Sequence, residues 1–416
     1  MQPRKKKVAT ILFVSTLHLM CSLKGQSQLA VIVAPVLDLG KPPSLILDSS
    51  GRLYNQFPLD GGKNKPLVAC PRTHQLIYHE IVEIKQNKEP VTDMYDIIVP
   101  NIFYVLNGSH IPQNTYRIHK KNLITFKELK SKKVDINKFP EPISFIKKNN
   151  PFDNDTVALI MPHINSETKI TFSAGTRFKR CTMSLPESDE NLSVYAFDKK
   201  IFNFRTIEIP KHKLMITSPT TNQDKIKAFV QLARDWAHIK NGFIPYVWGG
   251  SSYIHLSNGR FTEIFASENN VKTSFFELDD YPYSPRPGLD CSGLVWRAAQ
   301  ICGIPYYCKN TATIAHYLKE LENSKLEDGD LILIPRHVMI VSSVKNNKLV
   351  EARSYGHGYG KVQELSLKKV FKGMNTYQDL INAYHNNQTI YRLNSEGIIA
   401  ETISQLKLIK FSSVWS

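Results

Sequence analysis

The chain has 416 residues and a net charge of +16, from 53 Lys and Arg against 37 Asp and Glu. That length exceeds one compact core and fits two or three domains, and a hydrophobic fraction of 42% excludes wholesale disorder. The basic excess favours anionic partners, but it is spread along the chain without any helix-turn-helix, zinc-finger or ribonucleoprotein pattern, which argues against nucleic acid.

In chain order, Arg4, Lys5, Lys6 and Lys7 precede an apolar stretch from Val8 to Cys21. A positive start followed by a short apolar segment reads as a secretory signal peptide, residues 1–25, and implies export to the periplasm or cell envelope. No run elsewhere is long enough to span a membrane. From Gln28 to Lys213 short apolar runs such as LAVIVAPVLDL, DIIVPNIFYVLNG and ALIMP alternate with turn dipeptides such as Ser50-Gly51 and Asn107-Gly108. This spacing predicts small all-β barrels or sandwiches rather than a βαβ layout. Two modules fit, residues 26–145 and 146–218, with a soft boundary around Phe139 to Asp155.

The character changes after Ser218-Pro219, where residues 219–416 read as a third domain. Thr221 or Asn222 can cap a helix in which Ile226, Phe229, Leu232, Ala233, Trp236 and Ala237 recur at helical spacing. A second helix is predicted over Cys291 to Cys302, ended by Gly303 and Pro305, and a third over Thr311 to Leu321. After the turn Glu327-Asp328-Gly329-Asp330 come predicted strands at Leu331 to Ile334, Val338 to Ser343 and Lys348 to Ala352. Helices followed by an antiparallel meander make the domain α+β.

None of the six cysteines stands in a CxxC or a Cys/His spacing of the zinc kind, so no metal and no cofactor is implied. Cys70 and Cys181 are a candidate disulfide in an exported chain. Cys291 opens a predicted helix, where the dipole and unpaired N–H groups lower a thiol pKa and can hold an oxyanion. It is expected beside a surface cleft. Asp290 can cap that helix. His337 opens a strand at a place where loops meet and can serve as base. Glu351 is expected nearly opposite His337 on the next strand, where it would orient the imidazole and raise its pKa. His357 competes for that third role.

Tyr246-Val247-Trp248-Gly249-Gly250, Asp290-Cys291-Ser292-Gly293, Gly329-Asp330-Leu331 and Arg336-His337-Val338 resemble, in order and spacing, the motifs of the NlpC-type cell-wall peptidases. The resemblance runs over roughly Thr221 to Phe371. It implies a papain-like catalytic domain with Cys291 as nucleophile and His337 as base. Tyr246, Ser292 and Asp290 are the residues expected to face substrate, Tyr246 also as an oxyanion contact. The implied substrate is a peptidoglycan stem peptide, cut between γ-D-glutamate and diaminopimelate by a monomer. The leading regions resemble bacterial Src-homology-3-like domains at Pro35 to Leu39 and Thr73 to Tyr78. They are expected to position substrate, so that residues from Ser218 onward would suffice for small peptides. Two departures stand out: Glu351 occupies a position that is commonly histidine, and the segment from Gly250 to Asp290 is long enough to form a lid or to be a passive insertion. The alternatives are a papain-like amidase or transacylase on another substrate, and a wall-binding protein without activity.

Overall fold

The computed structural model describes residues 28–40, 72–85, 94–105, 112–153, 155–181, 189–240, 242–254, 260–266, 271–277, 287–322, 325–354 and 359–416. The signal peptide, Cys21, Cys70 with its candidate disulfide, and His357 lie outside the described residues. Of the long segment between Gly250 and Asp290, the backbone of one antiparallel hairpin, Arg260–Ala266 with Val271–Glu277, is described.

The first alternating runs form one seven-stranded sheet. Its order is Arg72–Ile77, Val36–Gly40, Thr115–His119, Met94–Ile98, Ile81–Ile84, Gln28–Ile32 and Leu123–Thr125, antiparallel at every pairing. Thr125 leaves the last strand and caps the helix Phe126–Ser131, its hydroxyl accepting from the Glu128 N–H. Beyond it come smaller sheets. Thr156–Leu159 pairs with Arg177–Lys179 and Leu214–Met215, and a long hairpin joins Asn191–Asp198 to Asn203–Pro210. Leu192, Val194 and Ala196 alternate inward and meet Ile207 and Ile209 in one apolar cluster.

In the last part, Thr221 caps the helix Asn222–Ala237, which buries Phe229, Val230, Leu232, Ala233 and Trp236. The helix Cys291–Ile301 is buried along its whole length, and Gly303, at φ +72, follows its end. The third helix, Thr311–Tyr317, stops short of the expected Leu321. Leu318 turns extended there and is buried in the cluster around Cys291, whereas Leu321 is buried in a different one. No continuous helix serves both.

A five-stranded antiparallel sheet completes the region, ordered Lys361–Ser366, Lys348–Arg353, His337–Ser343, Leu331–Ile334 and Lys407–Ile409. Leu331, Leu333, Val338, Ile340 and Val350 face the cluster holding the two long helices. Ile332, Ile334, Met339, Val341 and Leu349 face a second cluster with the helix Tyr377–His385 and with Ile390 and Ile403. Both faces are covered, so these strands read as unbroken apolar runs.

The leading sheet is fused to this region. Gln75 and Ser251 exchange hydrogen bonds: the Gln75 N–H donates to Ser251 Oγ at 3.1 Å, the Ser251 hydroxyl to the Gln75 carbonyl at 2.8 Å, and the Ser251 N–H to Gln75 Oε1 at 3.1 Å. Trp296 Nε1 donates to the Asn101 carbonyl at 3.1 Å, and Arg297 pairs with Glu80 at 2.9 Å.

Candidate active site

Local chemistry fixes the start of the helix that Cys291 opens. The two glycine motifs meet there: a Cβ on Gly293 would stand 1.9 Å from the Gly250 carbonyl oxygen, so only glycine admits the approach. Gly250 O in turn accepts from the Asp290 N–H at 3.2 Å. Asp290 caps the helix, Oδ1 accepting from the Gly293 N–H at 2.5 Å and from Ser292 Oγ at 2.8 Å. Lys309 Nζ lies 2.7 and 2.6 Å from the two Asp290 oxygens and donates to Ser292 Oγ at 3.1 Å. Asp290, Ser292 and Lys309 are all buried. The oxygens of Asp290 and Ser292, expected to face substrate, are committed to the protein itself.

Cys291 is 8% exposed, not set in an open cleft. The expected depression of its pKa by the helix terminus is reversed. Burial first, and then the Asp290 charge, push the thiol up to about 11, against the Val338 N–H that Sγ accepts and the charges of Lys309 and Arg353. The thiol thus reaches the strand end directly after His337. Tyr246 is buried in the same cluster as Cys291; its N–H donates to Gly360 O at 2.8 Å, and it bridges in parallel to Leu289.

On the sheet side, His337 Nε2 lies 2.7 Å from Glu351 Oε2. The register by which they meet differs from the expectation. Ile340 pairs with Val350 and Val341 with Leu349, and a bulge precedes the Ser343–Lys348 pair. Continued outward, this places Glu351 opposite Met339, so it reaches His337 diagonally, within the span of two long side chains. The extra residue of the bulge is what sequence alternation does not reveal. Glu351 is wholly buried. Burial pushes its pKa up, but Arg392 first, then His337 and Arg353, outweigh this and hold the carboxyl well below its usual range.

Glu351 pulls the His337 pKa upward, as expected of a carboxylate, yet the net direction is opposite. Burial and the Arg353 charge bring it down to about 3. At neutral pH the thiol and the imidazole are therefore both uncharged, and the carboxylate is ionised. With Nε2 turned to the carboxylate, Nδ1 is the ring nitrogen left over.

Sequence reasoning missed Lys309, Arg353, Gln363 and Arg392. Gln363 sits directly across from Glu351 in the sheet and donates to Oε1 at 3.3 Å. Arg392 Nη2 lies 2.6 and 2.8 Å from the Glu351 oxygens. One signal was available: Ile390 and Arg392 share the buried parity of their strand while Tyr391 is exposed, and an arginine on an apolar parity needs an anion.

Among the described residues, no helix is long and apolar enough to cross a membrane, and no group of three or more His, Cys, Asp or Glu residues could hold a metal. No family model and no curated protein matches the chain. Among solved structures, the peptidoglycan hydrolase RipB from Mycobacterium tuberculosis matches at 22% identity with a TM-score of 0.22, over 35% of this chain and 60% of that one.

Proposed function

We propose that the protein is a cysteine peptidase of the cell envelope that cuts peptidoglycan stem peptides, between γ-D-glutamate and diaminopimelate. The observation that carries the reading is the buried His337–Glu351 contact of 2.7 Å at the strand end where the Cys291 thiol takes the Val338 N–H. The peptide substrate rests on the four ordered motifs. The charge of +16 suits a wall rich in carboxylates. Export rests on the basic, apolar start, and the leading β regions act as Src-homology-3-like modules beside a catalytic unit that works as a monomer.

Chemically, a neutral imidazole is already a base. As Sγ attacks the scissile carbonyl, its proton passes to His337 Nδ1, and the S–C bond forms as the carbonyl π pair moves onto oxygen. The Asp290 oxygens occupy the Gly293 N–H and, through the main chain, that of Leu294. The N–H groups of Cys291 and Ser292 have no intrahelical acceptor and can hold the oxyanion, with Tyr246 beside them. The imidazolium, stabilised by Glu351, protonates the departing amine as the C–N bond breaks. Water, deprotonated by His337, then attacks the thioester and releases the acid and the free thiol.

Purified peptidoglycan incubated with the wild type and with Cys291→Ala tests the reading. New amino groups and soluble stem fragments from the wild type alone support it, and mass analysis gives the bond. Equal release by both proteins overturns it.

A further inference from the structure

Arg392 lies beyond the stretch that carries the peptidase motifs, on the hairpin Ile390–Leu393 with Ile399–Ile403. It is wholly buried. One guanidinium nitrogen spans both Glu351 oxygens, at 2.6 and 2.8 Å, while Nη1 lies 3.2 Å from Met339 Sδ on the His337 strand. The Phe371 ring lies 5.9 Å from Cζ, and Phe371 bridges the Arg392 backbone. The same hairpin supplies Glu401, which accepts from Arg353 Nη2 at 2.9 Å. It therefore delivers a cation to the carboxylate and an anion to the cation beside it.

A carboxyl this buried would otherwise take up a proton, and as an acid it would donate where the imidazole needs an acceptor. An arginine cannot lose its charge at working pH, and here its Nη2 alone reaches both oxygens. Among the described residues, the other groups facing Glu351 are His337, Arg353, Tyr359 and Gln363. None of these is a permanent cation bonded to both oxygens.

We propose that Arg392 is the positioning residue of the site, clamping Glu351 so that the carboxylate accepts the His337 Nε2–H and Nδ1 is left to the thiol. The inference rests on the peptidase reading, yet it concerns a contact that can be observed without turnover.

The experiment uses the full chain as wild type, Arg392→Lys, Arg392→Met, Glu351→Gln and the double Arg392→Met/Glu351→Gln. Its readouts are the nitrogen-15 ring spectrum of His337, assigned by its loss in His337→Gln, and the kcat and KM for stem peptide. In the wild type the ring should carry its proton on Nε2, at the low field of a short bond to a carboxylate. Arg392→Met should lose that signal and lower kcat at least about tenfold while KM moves about twofold or less. Arg392→Lys should keep part of both. The double variant should be no slower than Glu351→Gln alone, because Arg392 acts through that carboxylate. An unchanged ring signal in Arg392→Met, or losses that multiply in the double variant, would overturn the proposal. If Arg392→Met does not fold, the double variant removes both charges together, and its kcat against that of Glu351→Gln decides. A wild type that cuts no stem peptide defeats the peptidase reading, while the ring spectra still judge Arg392.

Discussion

On the helix side of the thiol, Asp290 and Lys309 make a compact pair 19 positions apart, closed by Ser292 and a single helix turn. On the sheet side, His337, Glu351 and Arg392 come from three strands, and the last contact spans 41 positions. Both clusters are buried, and they differ in what they leave over. The helix-side pair consumes its polar atoms internally and fixes a backbone. The sheet-side chain ends on an imidazole whose Nε2 meets the carboxylate, with Nδ1 as its other ring nitrogen. Under the peptidase reading, proton transfer falls to the sheet-side cluster, and the helix-side pair holds the backbone.

That contrast can be broken at several points. The largest effect should come from Cys291→Ala, with hydrolysis lost by about a thousandfold or more and the melting temperature little changed. Comparable turnover by that variant would remove the thiol from the mechanism.

Next, Lys309→Met strands the Asp290 charge, and urea unfolding should show a loss of about 3–5 kcal/mol. The double Lys309→Met/Asp290→Asn should recover much of it, whereas a purely catalytic role for Lys309 predicts normal stability. Glu351→Gln keeps the shape of the sheet-side chain but not its charge. Its kcat should fall about ten- to a hundredfold, the scale of one lost charge-assisted contact.

The pH dependence is smaller per step but points both ways. Burial lowers the pKa of His337 to about 3 and of His79 to about 4, and it lowers those of His74 and His163 as well. The unfolded chain binds more protons than the folded one below about 6.5, so stability should decline as pH falls from there. Cys291 is raised from 9.0 to about 11, so the unfolded chain releases its proton first. Stability should therefore also decline above about pH 9. Denaturant midpoints between pH 4 and 10 test this, and a flat profile would contradict it. In the same window, iodoacetamide should modify Cys291 about tenfold faster per pH unit as thiolate forms. A plateau near neutrality would show a preformed thiolate instead.

Legibility followed distance along the chain. Asp290-Cys291-Ser292-Gly293 is contiguous, so its cap and helix could be read residue by residue, as could Thr221. The apolar runs from Leu331 to Ser343 gave strands, though their tight turn holds Arg336 at φ +63, which no residue type announces. Glu351 could be nominated by proximity, but its diagonal register depends on a bulge. Lys309 and Arg392 were illegible as partners because no periodicity links them to the anions they meet. Burial was the costliest omission. A helix terminus lowers a thiol pKa only while water or a cation shares the work, and at Cys291 desolvation outweighs it.

The seam between the leading sheet and the Cys291 helix also governs the order in which the chain can mature. Arg297 meets Glu80 across 217 positions and Trp296 meets Asn101 across 195. The first half of a growing chain therefore emerges with Glu80, Gln75 and the Asn101 carbonyl awaiting groups that have not yet been synthesised. Such long closures are slow and leave strand edges uncovered. The leading sheet should gain protease resistance only when residues through about Thr311 are present, as a series of chains truncated from the C-terminus would show. Conversely, residues from Ser218 onward should not fold as an independent unit, since Ser251, Trp296 and Arg297 would face water at what is now an interior.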